Sequence, residues 1–184
     1  MTTTSERPTV SIRFSADEIA RRVDEMAAEL AAKLPADTLV VSVLKGSFVF
    51  AADLIRSLSR AGANWSMDFL TLSSYGTGTQ TSGHVRIVRD IVDDVRGRDV
   101  LLVDDILESG LTLSFAKKLL EERGAARVWV CTLLDKPHKR RAELKADFTG
   151  FQAGDEFLVG YGLDWAHRFR GLPYIGVVEQ ASAN

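Results

Sequence analysis

The residues best suited to chemistry sit in one run, Val100-Leu-Leu-Val-Asp-Asp-Ile-Leu-Glu-Ser-Gly-Leu-Thr112. Apolar residues lead into the paired carboxylates Asp104 and Asp105, and a short loop carrying Glu108, Ser109, Gly110, Leu111 and Thr112 opens onto a helical pattern. Such a run reads as a buried parallel strand ending in two acids. Open α/β sheets bind ligands beyond the carboxyl ends of their strands, and a helix start offers unpaired N–H groups to an anion. Gly110 permits close backbone approach, while the hydroxyls of Ser109 and Thr112 add donors without charge, so a phosphate fits the loop. Carboxylates repel phosphate, so Asp104 and Asp105 call for different partners: ribose hydroxyls, or a ligand carrying Mg²⁺. Phosphate below and diol above describes a ribose 5-phosphate. The competing reading is an ordinary strand, turn and helix start, where acids complement the helix dipole.

The flanking sequence supplies the elements that would position this loop. Thr38-Leu-Val-Val-Ser-Val-Leu44 and Arg127-Val-Trp-Val-Cys-Thr-Leu-Leu134 are apolar on both parities, as strands covered on both faces must be. Helical patterns over 48–58 and 111–123 lie between the strands, the second closed by Gly124 as a left-handed cap. Strand and helix alternation implies a parallel α/β sheet. Ser15-Ala-Asp-Glu18 is a capping box that starts a further helix, with Ile19, Val23, Met26 and Leu30 on its apolar face. The segment 65–74 reads as another strand, and Tyr75-Gly-Thr-Gly-Thr-Gln-Thr-Ser-Gly83 as a long mobile loop. Short strand candidates at 148–151, 157–159 and 175–178 point to a smaller subdomain in the carboxyl-terminal third.

Bulk properties narrow the function. At 184 residues, with 46% hydrophobic and 26% charged residues, the chain is expected to form a single domain over 1–184. A net charge of -2 gives no general attraction to nucleic acid or anionic membrane, so anion binding must be local. The opening residues lack the apolar stretch of a secretory signal and no run approaches the ~20 apolar residues of a membrane span, so a cytoplasmic protein is expected. The lone Cys131 lies in an apolar run and is expected to be buried and inert. His84, His138 and His167 lack zinc-site spacing.

The 100–112 run resembles the phosphoribosyl pyrophosphate (PRPP) signature of type I phosphoribosyltransferases, and the other landmarks are similar to those of the hypoxanthine-guanine phosphoribosyltransferase family. Leu44-Lys45-Gly46-Ser47 resembles that family's pyrophosphate loop and Ser74-Tyr75 the start of its closing loop. Leu134-Asp135-Lys136-Pro137 resembles its purine-facing strand end, and the stretch from Asp155 to Asp164 its base-stacking and metal segment, with Arg170 at a pyrophosphate-arginine position. The matches run in order from about Leu39 to Val178. The resemblance implies a parallel twisted sheet flanked by helices, with a small hood subdomain from the chain ends. It also implies a cis peptide between Leu44 and Lys45, Mg²⁺ as cofactor, transfer of the phosphoribosyl group to hypoxanthine or guanine, and a homodimer or homotetramer.

Each implied role has a physical reading and a rival. Lys45 and the amides near Gly46 can meet pyrophosphate, or Lys45 is a surface lysine at a strand end. Lys136 can donate to an exocyclic O6, favouring oxopurines over adenine, whose 6-amino group is itself a donor. Phe157 offers a purine-stacking face beside Leu158, whose backbone the resemblance assigns to the base edge, or it belongs to the core. Asp164 can hold Mg²⁺ with Asp104 and Asp105, and Arg170 can grip pyrophosphate, or both form surface salt bridges. Lys136-Pro-His-Lys-Arg-Arg141 in isolation reads as a nucleic-acid patch, yet without aromatic interleaving its outer part is a solvated face. Glu108 is the candidate general base. Here the sequence departs from the family, where many members have Asp at the position of Glu108 and Glu at that of Asp104, a trade of about one methylene, on the order of 1.5 Å. Two other readings remain: a regulatory RNA-binding protein on the same fold, and a transferase preferring xanthine.

Overall fold

Strands that are apolar on both parities must be covered on both faces, and they occupy the middle of a six-stranded sheet. The computed structural model describes residues 9–75 and 84–179. In chain order the elements are β1 (Thr9–Phe14), α1 (Ala16–Lys33), β2 (Leu39–Leu44), α2 (Phe48–Arg60), β3 (Ser66–Tyr75), β4 (His84–Arg89) and β5 (Asp99–Leu107). There follow α3 (Leu111–Glu122), β6 (Arg127–Asp135), β7 (Phe148–Gln152), β8 (Leu158–Val159) and β9 (Ile175–Glu179). The main sheet has the order β4-β3-β2-β5-β6-β7; all its neighbours pair in parallel except β3 with β4.

Alternation along β2 and β5 divides the core between the two faces. Val40, Leu101 and Val103 pack with Phe50, Leu54 and Leu58 of α2 and with the apolar stripe of α1. Leu39, Val41, Val100 and Leu102 pack instead with Leu113, Ala116 and Leu120 of α3. From the central pair β2 and β5, the chain moves outward in opposite directions through α2 and α3. The loops beyond these two strands therefore face each other at a topological switch point, where α/β sheets open a crevice.

The capping box of α1 is formed: the Glu18 amide donates to Ser15 Oγ at 3.3 Å, and the Ser15 amide donates to Glu18 Oε2 at 2.8 Å. Cys131 is buried, and burial pushes its thiol pKa up, as an inert core cysteine requires. The hood is a three-stranded antiparallel sheet, β1-β9-β8, built from both ends of the described chain.

Three details differ from the sequence reading. The 148–151 segment joins the main sheet, Phe148 opposite Cys131, instead of the smaller subdomain, because its buried Phe148 belongs to the main core. Strand β5 does not end at the paired acids but continues to Leu107, held by pairing to β6 as far as Leu107 opposite Asp135. Strands β1, Thr-Val-Ser-Ile-Arg-Phe, and β4, His-Val-Arg-Ile-Val-Arg, were not expected, although the first alternates polar and apolar residues throughout and the second over its first four residues. Among the described residues no helix is long and apolar enough to cross a membrane.

Candidate active site

Beyond β2, the peptide between Leu44 and Lys45 is cis, as the resemblance implied. Lys45 is exposed, and Gly46 passes directly under Asp105: a Cβ at Gly46 would lie 1.8 Å from Asp105 Oδ2, so no other residue fits without displacing the carboxylate. On its other side Gly46 meets the hood, since a Cβ at Gly162 would lie 2.0 Å from the Gly46 carbonyl oxygen.

Beyond β5, residues 108–110 turn into α3, with Gly110 as its N-cap at φ 78°. A side chain there would be strained in the left-handed region and would crowd Arg140 Cδ at 3.1 Å. Ser109 Oγ accepts weakly from the Leu111 amide at 3.4 Å. A cavity of about 220 Å³ is lined by Asp104, Asp105, Glu108, Ser109, Gly110 and Thr112, so the phosphate-cradle candidates converge as the sequence implied. Leu111 lies in the first turn of α3 and is not among the residues lining this cavity.

A second cavity, of about 270 Å³, shares Asp105, Ile106 and Glu108 with the first and adds Gly46, Lys136, Phe157, Leu158, Leu163, Asp164 and Arg170. Phe157 is 54% exposed, which removes the reading of it as core and leaves an open aromatic face on the cavity wall. Lys136 is only 2% exposed; its Nζ donates to Glu108 Oε1 at 2.9 Å and to the Glu156 carbonyl at 2.8 Å. Arg170 donates to the Gly162 carbonyl and pairs with Asp164, each at 2.6 Å. Asp164 and Arg170 thus form the salt bridge of the rival reading while lining the cavity.

Not every candidate joins this group. Lys45 lines neither cavity, and although Asp164 shares the second cavity with Asp105, among the described residues no group of three or more His, Cys, Asp or Glu could hold a metal ion. Ser74 and Tyr75 finish β3 opposite Val85 and His84, and the expected mobile loop beyond them, 76–83, lies outside the described residues. A larger cavity of about 760 Å³ at the β7 edge is lined by none of the candidate residues.

The electrostatics divide the acids. Burial, with the adjacent Asp105 charge behind it, pushes Asp104 well above the usual carboxylate range; burial also raises Asp105, against the lowering effect of its hydrogen bond with Asp104. Glu108 moves the other way. Burial raises it, but the hydrogen bond and charge of Lys136, reinforced by Lys139, outweigh burial and leave it lowered.

Sequence reasoning missed the partners that hold these side chains. The Glu156 carbonyl and the Arg140 and Asp135 side chains carry no local signal, because their contacts span the β5, β6 and hood segments. Lys136 and Arg140 turn inward from the basic run, leaving His138, Lys139 and Arg141 exposed.

A doubly wound sheet with a glycine turn and paired acids at its switch point places the two cavities where α/β proteins of the ligand-binding class open their crevice. Residues 15–165 match the model of the phosphoribosyl transferase domain. The chain is 47% identical to the hypoxanthine-guanine phosphoribosyltransferase of Bacillus subtilis, over 92% of this chain and 93% of that protein. It is 42% identical to the hypoxanthine phosphoribosyltransferase of Escherichia coli, over 92% and 96%. Its fold matches a crystal structure of a Bacillus anthracis hypoxanthine-guanine phosphoribosyltransferase with a TM-score of 0.87 at 40% identity, covering 94% of this chain and all of that one. The chain belongs to the phosphoribosyltransferase family, in its hypoxanthine-guanine branch.

Proposed function

We propose that this protein is a purine-salvage enzyme that transfers the 5-phosphoribosyl group of PRPP to hypoxanthine or guanine, giving IMP or GMP and pyrophosphate. The observation that carries the reading is the junction of the two cavities at Glu108: a cradle of amides and hydroxyls on one side, and a lysine and an open aromatic ring on the other. Ser109 to Thr112 would hold the 5-phosphate, and Asp104 and Asp105 the ribose hydroxyls. Phe157 would stack on the purine, the Leu158 backbone would read its edge, and Lys136 would donate to O6. Lys45, Gly46 and Arg170 would receive the pyrophosphate, with Ser74 and Tyr75 leading into a covering loop.

Mg²⁺ fits this donor set as a substrate-borne ion. Two adjacent carboxylates, Asp105 buried and Asp104 partly so, favour a divalent cation, while the absence of a larger acidic cluster among the described residues leaves most ligand positions to pyrophosphate oxygens and water. Asp104 and Asp105 would hold it on the ribose side and Asp164 on the hood side, and when bound it supplies charge neutralisation for the leaving pyrophosphate. Displacement at the anomeric carbon passes through an oxocarbenium-like state. Glu108, ionised below the usual carboxylate range, would take the proton lost by the purine, and Arg170 would neutralise charge on the leaving group. The Lys136 ammonium is engaged by Glu108, so donation to O6 would loosen that pair as the base arrives. A single cytoplasmic domain assembled as a homodimer or homotetramer completes the reading.

The test is a panel of free bases incubated with PRPP and Mg²⁺, read as pyrophosphate release. Turnover of hypoxanthine and guanine with adenine inert is expected. Exclusive use of xanthine would shift the substrate assignment, and no release with any 6-oxopurine would remove the activity.

A further inference from the structure

Four consecutive carbonyls along the cradle are anchored. Leu107 O accepts from the Lys136 amide at 3.0 Å, and Ser109 O from the Arg141 and Ala142 amides at 2.9 and 3.0 Å. Gly110 O accepts from the Ser114 amide at 2.8 Å. The fourth, Glu108 O, is held at 2.8 Å by Nη1 of Arg140, a side-chain donor where the other three are backbone amides. The same guanidinium pairs through Nη2 with Asp135, the last residue of β6. Both side chains are largely shielded, at 15% and 13% exposure, and the arginine stem packs on Gly110.

Within a trans peptide the C=O and the following N–H point in opposite directions. Fixing the Glu108 and Ser109 carbonyls toward the strap of residues 136–142 therefore turns the Ser109 and Gly110 amides away from it. An unanchored Glu108–Ser109 peptide would be free to flip and aim a carbonyl, which repels phosphate, where an amide is needed. Lysine could not substitute, because one planar fork must serve a carbonyl and a carboxylate at once.

We propose that Arg140, set by Asp135, is a positioning residue that orients the amides of the 5-phosphate cradle and so governs affinity for the ribose 5-phosphate part of PRPP. This rests on the cradle reading above. It assigns function to two residues of the 134–141 segment that touch neither base nor anion themselves.

The experiment uses the full chain with Arg140→Met, which keeps the packing stem but removes the fork, and with Arg140→Met combined with Asp135→Asn, which leaves no buried charge unpaired. Calorimetric affinity for ribose 5-phosphate, KM for PRPP, KM for the purine and Tm are measured for each. Arg140→Met should weaken ribose 5-phosphate binding and raise KM for PRPP by about 10-fold, the scale of one charge-assisted hydrogen bond, with the purine KM within about twofold. In the double variant Tm should recover while the ribose 5-phosphate defect persists. Recovery of both together would mean that the pair serves stability alone and would overturn the proposal, as would wild-type affinity in either variant. Should Arg140→Met fail to fold, the double variant carries the same measurement. If the wild-type chain itself has no affinity for ribose 5-phosphate, the cradle reading falls and takes this proposal with it; intact wild-type binding with unaltered variants defeats this proposal alone.

Discussion

The two walls of the candidate site are built on opposite principles. On the phosphate side the donors are backbone amides and hydroxyls on a short turn, with the carbonyls behind them anchored and the left-handed Gly110 at its corner. On the side of the second cavity the groups are charged side chains already paired with one another, Lys136 with Glu108 and Arg170 with Asp164. A neutral, anchored wall needs little rearrangement to receive an anion. A wall of paired charges must exchange partners before it can act, so on the proposed reading purine recognition and the state of Glu108 would be tied to the same ammonium group.

Glu108 stands where the two walls meet, and its replacement separates them most sharply. Glu108→Gln keeps the shape but removes the proton acceptor, so kcat should fall by roughly 10²- to 10⁴-fold while ribose 5-phosphate affinity measured by calorimetry stays near wild type. An unchanged kcat would take Glu108 out of the base role.

Lys136→Ala should have a smaller effect, confined to one wall: about 10- to 100-fold in kcat/KM for hypoxanthine and guanine, with weakened discrimination against adenine. It also tests the coupling between the walls through pH. In the intact free protein Lys136 helps hold Glu108 below the usual carboxylate range despite burial, so the base form persists as pH falls toward that lowered value. With the cation gone and burial remaining, Glu108 should titrate higher, and the acid limb of the kcat/KM profile should move to higher pH. A limb that stays in place would mean that the pair is absent in solution.

The smallest effect is expected outside both walls. Ser15→Ala removes the capping hydroxyl of α1 and should cost ~1 kcal/mol of stability by denaturant melting, with kinetic constants unaltered. A change in KM for either substrate would show that α1 is linked to the site.

The phosphate wall was more legible in the sequence than the base wall, for a physical reason. A cradle on a strand-turn-helix junction is a local object: its apolar strand, its glycine and its hydroxyls fall within one run, and their order dictates their geometry. The capping box and the double-sided strands are local in the same sense. Lys136 and Glu108 lie 28 positions apart, and only the parallel pairing of β5 with β6 sets them side by side. In the basic run from Lys136 to Arg141 only Lys136 was singled out, and the inward turn of Arg140 went unseen because charge in a sequence carries no direction. The short 148–151 segment could be seen as a strand, but so few residues do not say which sheet they will join.

The hood follows a different schedule from the main sheet. A ribosome finishes the last strand of the six-stranded sheet at Gln152, but β1, made first, must wait for β9 at 175–179 before it has a neighbour. Early in translation its amide edge is thus an orphan awaiting a partner, so the nascent chain can complete its six-stranded sheet well before the hood is joined.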